Sequence, residues 1–277
     1  MTAPAVTVIL PFRNQGRLLA QACASLRRQS LRHWRAVLVD DGSAAEAVTL
    51  AMHLCREDGR FQLLQVRDKP PLPGPWLARN LGVKAATSAL VAFLDADDLW
   101  HPLKLERQLA LHRQSPRLLS VCGYHRFRAE TLAVVATRTP PPALDFQALL
   151  RGNAIPLSSV VVDRDLVLGA GGFRGERHED FGLWLRLFAA ADPPAYACIP
   201  EPLMAYRLHR QSLSAARHRS LPAVARLFRQ HLPCRRQRWR ALARWTLERL
   251  SEGDRPWRQG PGATGQLPES FGAQGEA

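Results

Sequence analysis

Three carboxylates fall within four positions at Asp95-Ala96-Asp97-Asp98, directly after the apolar run 90–94. Held together at the end of a buried strand, they repel one another unless a cation or hydrogen bonds compensate them. A divalent magnesium or manganese ion answers that need. It takes hard oxygen ligands, accepts one or two protein carboxylates and leaves its other positions to phosphate oxygens and water. A diphosphate-bearing substrate fits such a site. Asp98 could instead cap a helix beginning near Pro102, but a cap uses one acid, whereas here there are three. Asp40-Asp41-Gly42-Ser43 also closes an apolar run, and by itself it reads equally well as a turn that caps the next helix.

The elements around these acids explain how they would be brought together. Residues 6–10 are a β-branched run, 16–29 carry apolar residues at helical spacing, and 34–40 return to a strand pattern, which makes one βαβ unit. The alternation repeats with a helix over 44–56, a strand over 61–66, a helix opening at Pro75 and a buried strand over 90–94. The predicted fold is α/β, a Rossmann-like, mostly parallel sheet with helices on both faces. Ligands of such sheets sit at the carboxyl ends of the strands, where both acidic motifs fall. Further on, a helix is predicted over 102–114, strands over 118–127 and 132–137, a short helix over 144–150, a strand over 158–162, a helix over 181–190, and a closing pair of strands over 195–199 and 203–208.

The bulk properties bound the alternatives. A chain of 277 residues with 46% hydrophobic content buries a full core, which excludes a disordered or fibrous protein. Its five cysteines are scattered without metal-ligand spacing and read as buried free thiols. The net charge of +14 raises a nucleic-acid binder as a non-enzyme alternative. Residues 221–258, however, hold ten arginines against three acids, a surplus of seven, so half of the excess lies in one short stretch. There Leu221, Val224, Phe228 and Leu232, then Trp239, Leu242 and Leu250, can share helix faces among the arginines. The expected organisation is a catalytic domain over 1–215, a basic amphipathic helical extension over 216–258 and a disordered Gly/Pro/Gln/Ser tail over 259–277. With no charged leader and no long uncharged run, the expected location is cytoplasmic. Arginine beside Trp239, Trp245 and Phe228 suits peripheral attachment to an anionic membrane surface, while a plain helical cap with a solvated basic face explains the stretch equally.

Five blocks carry a specific resemblance: residues 6–14 (VTVILPFRN), Val39-Asp40-Asp41-Gly42-Ser43, Ala78-Arg79-Asn80-Leu81-Gly82, Phe93-Leu94-Asp95-Ala96-Asp97-Asp98-Leu99-Trp100 and Glu179-Asp180-Phe181-Gly182-Leu183-Trp184-Leu185-Arg186. In this order and spacing they resemble the family 2 inverting glycosyltransferases of GT-A fold, over about residues 6–214. The resemblance implies a nucleotide-sugar donor, most commonly a UDP-sugar, and transfer to a hydroxyl of a cell-envelope glycan or lipid-linked saccharide. It places Pro11, Phe12 and Arg13, with Asp40 and Asp41, around the base and ribose, and Arg79 and Asn80 on the nucleotide and phosphate side. Asp95, Ala96 and Asp97 match the Asp-x-Asp motif, and Asp98 extends it, with Asp97 or Asp98 as the metal ligand. Asp180 would be the general base, or the cap of its helix, with Glu179 in reserve. Tyr206-Arg207-Leu208-His209, followed by Ser212 and Ser214, resembles the family's closing segment, in which Arg207 and His209 approach the diphosphate and metal. Gly171-Gly172-Phe173 falls at the acceptor-side loop, and Trp184 reads as core.

The chain departs from the family at 69–75, where a Pro-rich loop replaces a short Asn/Gly loop, and it lacks a Gln-x-x-Arg-Trp motif, which argues against a processive synthase. A sugar-phosphate nucleotidyltransferase would share the sheet and acidic site, but no Gly-rich basic phosphate loop follows the first strand. A non-catalytic relative would not need the intact acids, and a nucleic-acid partner is not expected because acids at strand ends repel phosphate.

Overall fold

The computed structural model describes residues 3–67, 74–209, 220–250, 258–259 and 265–273. The Pro-rich departure at 69–73, and Ser212 and Ser214 of the closing segment, lie outside the described residues.

The first half follows the expected alternation closely: β1 (Val6–Phe12), α1 (Gly16–Arg27), β2 (Trp34–Asp40), α2 (Ala45–Glu57), β3 (Phe61–Gln65), α3 (Trp76–Ala85) and β4 (Leu90–Phe93). The four strands are parallel in the order β3-β2-β1-β4. All of β1 is buried because the sheet is covered on both sides. Side chains alternate along a strand, so Val6, Val8, Leu10 and Phe12 pack with α1 and α2, while Ile9 turns to the opposite core with Val83 of α3 and Phe93. Gly82 lets α3 lie on β1, since a Cβ there would run into Ile9.

The second half is more irregular: β5 (Leu99–Trp100), α4 (Lys104–His112), β6 (Leu118–Arg128), β7 (Ala133–Thr139), α5 (Phe146–Leu149), β8 (Val161–Asp163), α6 (Arg164–Gly169), α7 (Glu179–Phe188) and β9 (Ala195–Leu208). β8 runs antiparallel between β4 and β6, β6 pairs antiparallel with β7, and β9 runs parallel to β6 over its length. Parallel pairing is therefore confined to β3-β2-β1-β4 and β6–β9, and the sheet as a whole is mixed. The predicted closing pair over 195–208 is one strand, interrupted by register shifts opposite Gly123. Of the strand predicted over 158–162, the first two residues belong instead to a 3-10 turn, Leu157–Ser159.

A helical hairpin, α8 (Ser220–His231) and α9 (Arg235–Leu250), follows. Val224, Leu227 and Phe228 join the core around α7, whereas Trp239 is 62% exposed and lies away from the half-buried Leu242 whose face it was expected to share. The expectation of a structureless tail fails for residues 265–273. β10 (Arg258–Gln259) and β11 (Gly265–Gln266) pair antiparallel with β7. Beyond β11, Leu267 and Phe271 are buried against Leu99, Phe127 and Ala205. Composition alone hid two apolar anchors in a polar stretch. The cysteines are unpaired, and Cys234 is exposed, against the expectation of burial.

Candidate active site

The acidic turn hangs between β4 and β5 and is fixed from three sides. The Asp98 N–H donates to Asp95 O at 3.0 Å, closing the turn. Ser158 Oγ accepts the Asp95 N–H at 3.1 Å, and Ser158 O accepts the Trp100 indole N–H at 2.8 Å. Arg207 donates from Nε to Asp97 O at 2.7 Å and from its backbone N–H to Asp98 Oδ1 at 3.2 Å, while Nη2 reaches Gln21 at 2.9 Å. Arg207 is thus a buried brace lying over the Phe127 ring, with Nε and Nη2 of its guanidinium bound to protein groups.

The three carboxylates differ in what they can do. Asp98 is 2% exposed and spends its oxygens on Arg207 and Ser158. Burial first, then the charges of Asp97 and Asp95, pushes it well above the usual carboxylate range. Asp95 and Asp97 keep 33% and 21% side-chain exposure, and these are the oxygens that face outward. Asp97 is also raised, by burial and then by Asp95, and its Oδ2 lies 2.8 Å from His209 Nε2. Ala96 is buried, so only its backbone can face a ligand. Among the described residues no three His, Cys, Asp or Glu side chains form a closed metal cage. The donor set is an open one, in which crowded, partly desolvated carboxylates gain from a cation that brings its own oxygen ligands.

Arg79 joins this turn to α7. Its Nη2 donates to Asp95 Oδ1 at 2.7 Å and its Nη1 to Glu179 Oε1. Burial opposes its charge, but Asp95 and Glu179 outweigh that and hold the guanidinium protonated. Glu179 is thereby neutralised and tied down, which leaves Asp180 as the unpaired acid of the helix start. Asp180 is partly buried and raised above the ordinary range, by burial first, with Arg79 opposing. Its Oδ2 accepts from Asn153 Nδ2 at 3.0 Å. His178, immediately before α7, sits in the left-handed region at φ 62°, a position a non-glycine residue holds only under constraint from its surroundings, and this fixes where the helix begins.

Asn80 turns away from the phosphate side expected of it. Its amide donates to Phe173 O at 2.7 Å and its carbonyl accepts the Phe173 N–H at 2.8 Å, clamping Gly171-Gly172-Phe173. Gly172 has φ +64° and no room for a Cβ beside Asn80. Asp40 is likewise spent internally, on the Ser43 N–H at 2.8 Å and Gln65 at 3.3 Å. Pro11 and Phe12 are buried, with Phe12 in the core, so any ligand contact from them is through backbone. Arg13 and Asp41 line the open side, where Asn14, at φ 55°, laces the two loops through Ser43 and the Ala44 N–H. Trp184 is core, donating to Ile155 O. Sequence reasoning missed Asn14, Asn153 and Ser158, whose roles arise only when distant loops meet.

An open acidic turn at a strand's carboxyl end, joined through Arg79 to the carboxylates at a helix start, is an arrangement suited to group transfer. The sequence model described as glycosyl transferase family 2 matches residues 7–158, and the chain belongs to that family. An uncharacterized glycosyltransferase of Haemophilus influenzae is 29% identical over 67% of this chain and 72% of its own length. The Escherichia coli UDP-Glc:alpha-D-GlcNAc-diphosphoundecaprenol beta-1,3-glucosyltransferase WfgD is 26% identical over 78% of this chain and 82% of its own. Bacillus subtilis TuaG, a putative teichuronic acid biosynthesis glycosyltransferase, is 27% identical over 76% and 82%. The S. aureus TarS 1–349 structure in complex with UDP-GlcNAc superposes with a TM-score of 0.66 at 14% identity, covering 90% of this chain and 73% of TarS. The Pyrobaculum calidifontis mannosyltransferase PcManGT, in complex with GDP-Man and Mn2+, gives 0.61 at 15% identity over 92% and 78%. The protein is a glycosyltransferase of GT-A fold, the first of the readings its sequence allows.

Proposed function

We propose that the protein transfers a sugar from a nucleoside-diphosphate sugar to a hydroxyl of a lipid-linked or cell-envelope saccharide, in a metal-dependent, inverting single displacement. The observation that carries this reading is the Arg79 bridge, which locks the acidic turn and the start of α7 into one rigid arrangement. The names of WfgD, TuaG and the TarS and PcManGT complexes support the donor and acceptor classes.

In this reading Asp41 and Arg13 receive the nucleotide at the mouth of β1 and β2. Asp97 with Asp95 would hold a manganese or magnesium ion, whose chemistry is to offset charge on the departing diphosphate. His209 steadies Asp97, and Asp98 and Arg207 hold the turn's shape beneath them. Asp180 takes the proton of the acceptor hydroxyl while that oxygen bonds to the anomeric carbon. The carbon–oxygen bond to the diphosphate breaks on the opposite face, the nucleoside diphosphate leaves, and the anomeric configuration inverts. The raised position of Asp180 makes it a better proton acceptor than an exposed aspartate.

The test is a transfer assay with UDP-glucose, UDP-GlcNAc and GDP-mannose, each with Mn2+ or Mg2+, with the product anomer read by NMR. Retention of configuration would sink the single displacement. Failure of every donor to be consumed or to stabilise the protein thermally would sink the donor class.

A further inference from the structure

α9 carries arginines 235, 236, 238, 240, 244 and 249 against the single acid Glu248. At helical spacing these charges are not spread evenly. Ala241 and Trp245 are buried against the core of α7 and α8. On the opposite arc Trp239, Ala243 and Leu247 recur every fourth residue and form one exposed row. Trp239 is 62% and Leu247 64% exposed, the two most exposed large apolar side chains among the described residues. Arg235, Arg236, Arg240 and Arg244, all exposed, flank that row. A solvated basic face has no use for an indole and an isobutyl group at its centre, and a core-facing stripe would have buried them.

We propose that this face of α9 lies on an anionic lipid bilayer, with Trp239 and Leu247 entering the headgroup boundary and Arg235, Arg236, Arg240 and Arg244 engaging lipid phosphates. Charge complementarity selects the occupant. Aromatic and aliphatic side chains between arginines match an interface that is apolar within and negative at its surface, whereas a nucleic-acid duplex offers no apolar layer for them. Among the described residues no helix is long and apolar enough to cross a membrane, so the contact is a lateral one.

The placement has a consequence for the site. α8 rests on the first turn of α7, with Phe228 against Phe181 at 6.4 Å between ring centroids and Gln230 donating to Glu176 at 3.3 Å. The surface is therefore coupled through one helix to the segment bearing Asp180. Its use in meeting a lipid-borne acceptor rests on the function proposed above, while the lipid contact stands on the residues of α9.

Flotation of the full chain with phosphatidylglycerol-containing vesicles, compared with pure phosphatidylcholine vesicles, tests it. The wild-type protein should float with the anionic vesicles only. Trp239→Ser/Leu247→Ser should weaken partitioning about tenfold or more, and Arg236→Gln/Arg240→Gln/Arg244→Gln on the order of a hundredfold. None of these residues touches the acidic turn, so consumption of a soluble donor should be unchanged in both variants, which separates loss of the surface from failure of the transferase reading. The proposal is overturned if the wild-type protein stays with the unbound fraction, or if it floats equally with neutral vesicles. Undiminished flotation of either variant, or binding to duplex DNA that survives the serine pair while excluding vesicles, overturns it as well.

Discussion

Asn153 donates its side-chain amide to Asp180 at 3.0 Å, so the carboxylate at the start of α7 is held in one orientation by a loop far from it in sequence. That bond favours the ionised form, whereas burial, the larger effect, favours the protonated one. Transfer needs the ionised form, so the rate should fall as pH drops through a value above the ordinary aspartate range near about 3.9. Asn153→Ala removes the bond that favours ionisation and should move this acid limb to still higher pH. A pH profile of kcat for both proteins checks the sign, and a limb moving to lower pH would contradict the assignment.

Asp180→Asn keeps the shape of the side chain and removes its basicity. Transfer should drop by about 10²–10⁴-fold, the contribution of a positioned base. Donor affinity, measured by calorimetry, should change little, since Glu179, not Asp180, holds Arg79.

Arg79→Ala strands Glu179 and leaves Asp95 to water. Breaking a buried ion pair from one side costs about 3–5 kcal/mol, and the partial exposure of Asp95 places the loss toward the lower figure. Urea denaturation should show it, and kcat should fall with it. Arg79→Lys should rescue neither in full, because one ammonium cannot present the two parallel arms that reach both carboxylates.

The acidic turn separates holding from shaping. Chelation with EDTA should stop transfer and Mn2+ should restore it. Asp97→Asn should raise the Mn2+ concentration required, whereas Asp98→Asn should act mainly on thermal stability, by disturbing the Arg207 brace. Metal titrations of the two variants, followed by thermal shift, distinguish these outcomes.

Phe271→Ala should cost about 3–5 kcal/mol, as for other fully buried aromatic residues. The ring is wedged between His101 and His125, with centroid separations of 5.6 and 5.8 Å, and calorimetric unfolding checks the size of the loss.

What the sequence made legible is what local pattern controls. The strand at 34–40 and the acids at its end could be read because apolar runs and strand ends are local facts, and so could the turn at 95–98. The roles of Asn80, Arg207 and Asp98 could not. Each looks like a polar residue available to a ligand until the fold shows Asn80 clasping Phe173 and Arg207 clasping Asp97 and Asp98. Residues 195–199 and 203–208 read as two strands, yet Pro200 and Pro202 fall within one, and β6 accommodates the break at Gly123.

The strand formed by Gly265–Gln266, and the Leu267 and Phe271 side chains beyond it, cover Leu99, the residue directly after the acidic turn. The order along the chain therefore matters. The N-terminal βαβ units come first in the chain, whereas the cover that Leu267 and Phe271 add to Leu99, Phe127 and Ala205 comes last. The packing around the residue that follows the acidic turn is thus closed by a segment some 170 residues later, a contact of high sequence separation whose loop-closure entropy must be met before it forms.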